Sequence, residues 1–223
     1  MEAALYVVRY LSTTKTMGIY FTSKRKPILE SFLYFPVPQA LLSMSDADWG
    51  PQDTTQWQCK VELPLFASQS MSTFCIDLFG PLHWVSQHQT GTAGSSAEAK
   101  IYATNACVKS LLDLEQLFDF LQIKDSFMPM INIACNDNKA CVDWSKSSTT
   151  KGLQHIQMKE NRVRENIAKR FVTITHVNGK VNLADLFTKE MKDMSHFVEL
   201  RDIMMCHHFV PRGSICFFNH SSL

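Results

Sequence analysis

LLSMSDADWG (residues 41–50) opens as a short apolar run and turns acidic at Asp46 and Asp48. That is the pattern of a buried strand that carries a carboxylate to its tip. MSTFCIDLFG (71–80) and PLHWVSQHQ (81–89) are rich in β-formers and meet at Gly80-Pro81, a turn signal, so the two are expected to form a hairpin. MINIACN (130–136) and FVTITHV (171–177) read as two further strands. Between them and the hairpin lie helical stretches. The longest covers residues 95–121, where Ile101, Val108, Leu111, Leu112, Leu114, Leu117, Phe118 and Leu121 recur at helical rather than alternating spacing. Shorter helices are expected over 139–146, 153–168 and NLADLFTKEM (182–191). About five strands result, three antiparallel at the front and helix-separated ones behind. The expected fold is α/β, a five-stranded mixed sheet with helices on its faces. Residues 51–70 carry the least pattern and read as a long connection.

The chain has 223 residues, 45% apolar and 19% charged, enough for one domain with a full core and unlike a disordered or coiled-coil polymer. Twenty-two basic residues against 21 acidic ones leave a net charge of +1. That excludes binding of nucleic acid or membrane by bulk charge, though not a local basic face. No apolar run reaches the roughly 18 residues that a membrane span needs. The opening MEAALYVVRYLSTT lacks the ordered regions of a secretion signal, so an intracellular, unsecreted protein is expected. Seven cysteines, an odd number set in apolar segments, read as reduced and mostly buried. Cys206, His207, His208, Cys216 and His220 come near zinc-ligand spacing, but the first pair is badly spaced, and a frayed tail is the favoured reading.

Three carboxylates fall at the ends of these elements: Asp46, Asp137 and Asp185. Brought to one sheet edge, such a cluster binds two Mg²⁺ ions about 3.5–4 Å apart, which activate water and stabilise the leaving oxygen in phosphodiester cleavage. Solvated surface carboxylates are the alternative. Ser95-Ser96-Ala97-Glu98 is a capping box, in which the serine hydroxyl and the glutamate satisfy the first free amides of the helix. Residues 146–192 hold ten Lys or Arg against four Asp or Glu, and Lys151, Lys159, Arg162, Arg164, Lys169 and Arg170 lie on or beside one helix. Such a helix suits a phosphate backbone, and local pairing with Glu160 and Glu165 is the alternative. Trp49, Trp84 and Trp144 lie near element ends, where they pack the core or rim or stack on bases.

Six segments, in order, resemble the ribonuclease H domain of copia-type LTR retrotransposon Pol polyproteins. Ser45-Asp46-Ala47-Asp48-Trp49 resembles its SDADW strand, PLHWVSQHQ its PISWSSKKQ strand, and Ser95-Ser96-Ala97-Glu98-Ala99 its SSTEAEY motif. Cys135-Asn136-Asp137-Asn138-Lys139-Ala140 resembles CDNQSA. Leu153-Gln154-His155-Ile156 with Arg164-Glu165 resembles the KHIDIRYHFIRE helix, and residues 181–189, VNLADLFTK, resemble QLADIFTKPL. The match covers about residues 41–192. Residues 3–22 resemble the segment that closes the reverse transcriptase region, and without polymerase to pack on, the stripe of Leu5, Val8 and Leu11 is expected to be exposed.

The resemblance implies a ribonuclease H-like fold over residues 36–192, a reverse transcriptase remnant over 1–35, and a C-terminal helix and tail over 193–223. It implies hydrolysis of the RNA strand of an RNA/DNA hybrid by two-metal catalysis, with Mg²⁺ or Mn²⁺ held by Asp46, Asp137 and Asp185. It places His155 beside the site and Lys151, Lys159, Arg162 and Arg164 toward the nucleic acid. The reverse transcriptase portion of the same polyprotein is the implied partner, in a cytoplasmic particle or the nucleus. An integrase-type nuclease of the same superfamily would need an acid near residues 170–175, which read RFVTIT.

One position departs from the pattern. The family motif has a second glutamate where this chain has Lys100. Glu98 lies two residues away, about 200° around a helix, so the two face nearly opposite ways. With the capping box already using Glu98, cap is favoured over metal ligand. Lys100 removes a carboxylate and places an ammonium where divalent cations would sit. Like unit charges about 4 Å apart cost about 4 kcal/mol at an effective dielectric near 20, and a divalent ion roughly doubles that. Two functions are therefore expected in competition: an impaired ribonuclease H-type enzyme, or a catalytically dead remnant that keeps the fold and nucleic-acid binding.

Overall fold

The computed structural model describes residues 2–21, 39–49, 69–147, 158–188 and 191–205. Five strands form one mixed sheet in the order β3-β2-β1-β4-β5. β1 (Leu42–Asp48), β2 (Met71–Asp77) and β3 (Pro81–His88) are antiparallel, while β4 (Asn132–Asn136) runs parallel to β1, and β5 (Val172–His176) parallel to β4. The expected architecture is the observed one. The hairpin between β2 and β3 turns at Gly80, whose φ of +156° disfavours a side chain. A Cβ there would also lie 2.9 Å from the Tyr20 carbonyl oxygen.

The long helix α2 is Ser96–Phe120, one residue shorter at each end than expected, with Ser95 as its N-cap. A short α3 (Lys124–Phe127) leads to β4, and α4 (Lys139–Lys146) and α5 (Met158–Ala168) connect β4 to β5. α7 (Met194–Met205) follows the sheet, and α1 (Glu2–Thr13) precedes it. Alternation along the strands builds two packed layers. Leu42 and Met44 of β1 join Cys75, Cys135, Val181, Leu183, Leu200 and Ile203 in one cluster. On the other side Ala134, Val172 and Ile174 pack with Ile101 and Val108 of α2 and with Cys141, Trp144 and Val163. α1 meets α7 through an edge-on contact of Tyr10 with Phe197, ring centroids 6.1 Å apart, and Leu5, Val8 and Leu11 are exposed.

The helix expected over 182–191 is a correction. A 3₁₀ turn (Gly179–Val181) comes first, and α6 (Asp185–Thr188) starts only at Asp185, residues 189–190 lying outside the described residues. Asn182 causes the break. Its Oδ1 accepts from the Ala184 amide and its Nδ2 donates to the Ser45 carbonyl at 3.1 Å, offering the backbone a turn in place of a helix. Among the described residues no helix is long and apolar enough to cross a membrane. Cys75, Cys107, Cys135 and Cys141 are buried free thiols. The Cys206–His220 group lies outside the described residues.

Candidate functional site

β1 leads to β2 and β3 on one side of itself, and the chain then crosses through α2 to β4 on the other. Between β1 and β4 is therefore a topological switch point, and the ends of their parallel ladder face outward from it. That ladder stops at Ser45↔Asn136. The residue after each of these is an aspartate, Asp46 within β1 and Asp137 just past the end of β4. Asp185, at the start of α6, joins them, and one carboxylate oxygen from each of the three lies within 4.8 Å of the others. Asp46 and Asp185 are buried, and Asp137 is half-buried.

A network of buried polar groups beneath the cluster fixes this geometry. Asn136 Nδ2 lies 3.2 Å from the Ser45 carbonyl, the Ser45 hydroxyl and the Thr104 hydroxyl, and donates among them. Asn136 Oδ1 accepts from the Asn138 amide, shaping the turn that presents Asp137. Thr73, opposite Asp46 on β2, donates to the Ala184 carbonyl at 3.1 Å and so pins the start of α6 against the sheet. Thr188, at the end of α6, donates to Asp46 Oδ2 at 2.8 Å.

Lys100 enters this cluster from the first turns of α2. Its Nζ donates to Asp46 Oδ1 and to Asp137 Oδ1, both at 2.6 Å, with the lysine side chain only 11% exposed. Burial disfavours its charge, but the Asp46 carboxylate and the hydrogen bonds to Asp137 and Asp46 outweigh that, so its pKa lies above the ordinary lysine value. An ammonium ion thus bridges two of the three aspartates. Three converging carboxylates are the right donors for a divalent cation, but with Lys100 charged and bonded to two of them the set does not fit one.

Glu98 lies elsewhere. Its backbone amide donates to Ser95 Oγ at 3.1 Å, its Oε2 accepts from the Gly94 amide at 2.7 Å, and its Oε1 accepts from the Tyr102 hydroxyl. Buried at 3% exposure, its carboxylate holds the Gly94 amide just before the Ser95 N-cap and lies outside the aspartate cluster.

The basic residues divide. Arg162 is exposed on α5, bordering a cavity of about 700 Å³ that also has Asp113, Glu115, Lys109 and Lys124 on its walls. Arg164 is turned inward: its guanidinium carbon lies 4.6 Å from the centroid of a Trp144 ring, and its Nε donates to the Trp144 carbonyl at 3.1 Å. Its side chain packs against Trp144 in this way, unlike that of Arg162. Of Lys159 only the backbone, in α5, is described, and Lys151 and His155 lie outside the described residues. Trp144 is core, whereas Trp49 and Trp84 are each about half exposed, Trp49 Nε1 donating to the Ala93 carbonyl.

Reading the sequence missed His176. Its Nε2 lies 3.1 Å from the Asp137 carbonyl oxygen, at the end of β5 beside the cluster. The signal was its place at the end of a strand parallel to β4, two strands from the acidic tip of β1.

No family model matches the chain. Among solved structures it is similar to LC11-RNase H1, isolated from compost by a metagenomic approach, at 14% identity over 66% of this chain and 91% of that one, with a TM-score of 0.45. RNase H1 from the halophilic archaeon Halobacterium salinarum NRC-1 aligns at 12% identity over 72% and 98%, with a TM-score of 0.42. A foamy viral protease-reverse transcriptase in complex with RNA/DNA hybrid aligns at 14% identity over 76% of this chain and 21% of that one, with a TM-score of 0.43. All three scores are below 0.5, so the functional reading rests on this chain's own residues.

Proposed function

We propose that this chain is a ribonuclease H-type domain derived from the Pol polyprotein of a copia-type LTR retrotransposon, that it engages RNA/DNA hybrids, and that Lys100 disables their hydrolysis. The observation that carries this reading is the convergence of Asp46, Asp137 and Asp185 at the β1–β4 switch point, with Lys100 Nζ bonded between the first two. The three acids are the ones that the motif order assigns as metal ligands, and the lysine is the one residue that departs from it. Of the two functions in competition, the non-hydrolysing one is favoured by the ammonium at 2.6 Å from both carboxylates.

Substrate binding falls on groups outside the cluster. We assign Arg162, Lys159 and Lys151 to the phosphate backbone, where they position the duplex without reading its sequence. Hybrid is distinguished from duplex DNA by its shape and 2′-hydroxyls. The reverse transcriptase portion of the same polyprotein is the partner on this reading.

Binding of a labelled RNA/DNA hybrid, a DNA duplex and a single-stranded RNA of one sequence, followed by fluorescence anisotropy in EDTA, tests the proposal. The hybrid should bind at least about tenfold tighter than the DNA duplex, an advantage of about 1.4 kcal/mol. Equal affinities, or no binding of either, would contradict it.

A further inference from the structure

We infer that Lys100 is the resident counter-ion of the aspartate cluster, standing where a divalent cation would stand, so that the folded chain neither requires nor admits one there. The inference rests on reading Asp46, Asp137 and Asp185 as the ligand positions of a ribonuclease H-type site. It concerns the stability and metal response of the chain, which hybrid binding does not report.

The geometry carries it. A Mg²⁺ ion bridging two carboxylates would sit about 2.0–2.1 Å from an oxygen of each. Lys100 Nζ already lies 2.6 Å from Asp46 Oδ1 and 2.6 Å from Asp137 Oδ1. The other oxygen of Asp46 is taken by the Thr188 hydroxyl at 2.8 Å. An ion and an ammonium therefore compete for the same oxygens, and the lysine is held by the covalent chain. Its helix is anchored there as well: Thr104, one turn along α2 from Lys100, lies 3.0 Å from the Ser45 hydroxyl, so the side chain is presented to the cluster by a fixed backbone. Asp46 is wholly buried and cannot draw on solvent for a substitute partner.

The test uses the full chain in three forms: native, Lys100→Met, which keeps the length of the stem without its charge, and Lys100→Glu. Thermal unfolding is followed in EDTA and in millimolar Mn²⁺, and Mn²⁺ binding is measured separately by electron paramagnetic resonance. The native Tm should be the same in both media within about 1 °C, with no Mn²⁺ bound at the cluster. Lys100→Met should unfold about 6–15 °C lower in EDTA, recover in Mn²⁺, and bind Mn²⁺ at least tenfold tighter than the native chain. Native protein that binds Mn²⁺ at the cluster, or is stabilised by it, overturns the inference, as does Lys100→Met with native stability in EDTA. If the variants do not fold in either medium, the native chain's Mn²⁺ measurement decides alone. No nucleic acid enters any arm, so failure here and failure of hybrid binding are separate results.

Discussion

Lys100 Nζ donates to Asp46 Oδ1 at 2.6 Å, and Asp46 is buried at 0% exposure. A buried ion pair of this kind adds little net stability compared with well-packed apolar residues, because desolvation offsets most of the attraction. Removing one partner is different: the carboxylate left behind is shut off from solvent and has lost the lysine's charge, and the cost is about 3–5 kcal/mol. Lys100 therefore stabilises the acidic switch point, and on the proposed function it blocks hydrolysis from the same place.

Glu98 tests the division of labour along α2. Glu98→Ala should lower stability by about 1–2 kcal/mol, since the Gly94 amide and Tyr102 hydroxyl lose their acceptor. Urea unfolding measures it. Mn²⁺ binding should not change in either the native or the Lys100→Met background; a change would make Glu98 a ligand.

The two arginines of α5 should separate by kind of effect. Arg162→Ala is expected to weaken hybrid binding and to reduce the slope of log affinity against log salt by about one, at unchanged Tm. Arg164→Ala should leave the slope alone and cost about 1–3 kcal/mol in unfolding experiments, because it uncovers the Trp144 ring and its carbonyl. The same slope change for both would return Arg164 to the phosphate backbone.

Alkaline stability should follow the buried thiols. Burial pushes Cys141 up to about 11 and Cys107 up to about 12. Unfolded thiols ionise near pH 8.5, so above that pH the folded state holds more protons than the unfolded one. Their contribution is complete below about pH 8 and is lost as pH rises toward 11. Urea midpoints between pH 7 and 10.5 should fall along this range, less steeply in Cys141→Ser. At pH 7 iodoacetamide should leave Cys75, Cys107, Cys135 and Cys141 unmodified in the folded chain; their rapid alkylation would contradict the burial argument.

Local pattern made much of this fold legible. The apolar run into Asp46, the β-branched run of FVTITHV and the helical spacing of Ile101, Val108 and Leu111 are properties of a few neighbouring residues, and they specify β1, β5 and α2. The capping box is equally local, and Ser95 caps α2 as read. What remained hidden depends on partners distant in the chain. Ser45 pairs with Asn136, 91 residues away, and Asn182 reaches Ser45 across 137. Asn182, held by the second of these bonds, stays outside α6, which starts only at Asp185 despite the helical pattern of NLADLFTKEM. Arg164 read as a surface charge because its spacing says nothing of Trp144, twenty residues earlier, under its guanidinium. His176 signals only through its place at the end of β5, since the parallel pairing of β4 with β5 is what brings it to Asp137.

The central claim is that one residue separates this chain from a working hydrolase. Cleavage of an RNA/DNA hybrid labelled on its RNA strand, in Mg²⁺ or Mn²⁺, should be undetectable with the native chain and should appear with Lys100→Glu. Cleavage by the native chain at a rate equal to that of Lys100→Glu would contradict the claim.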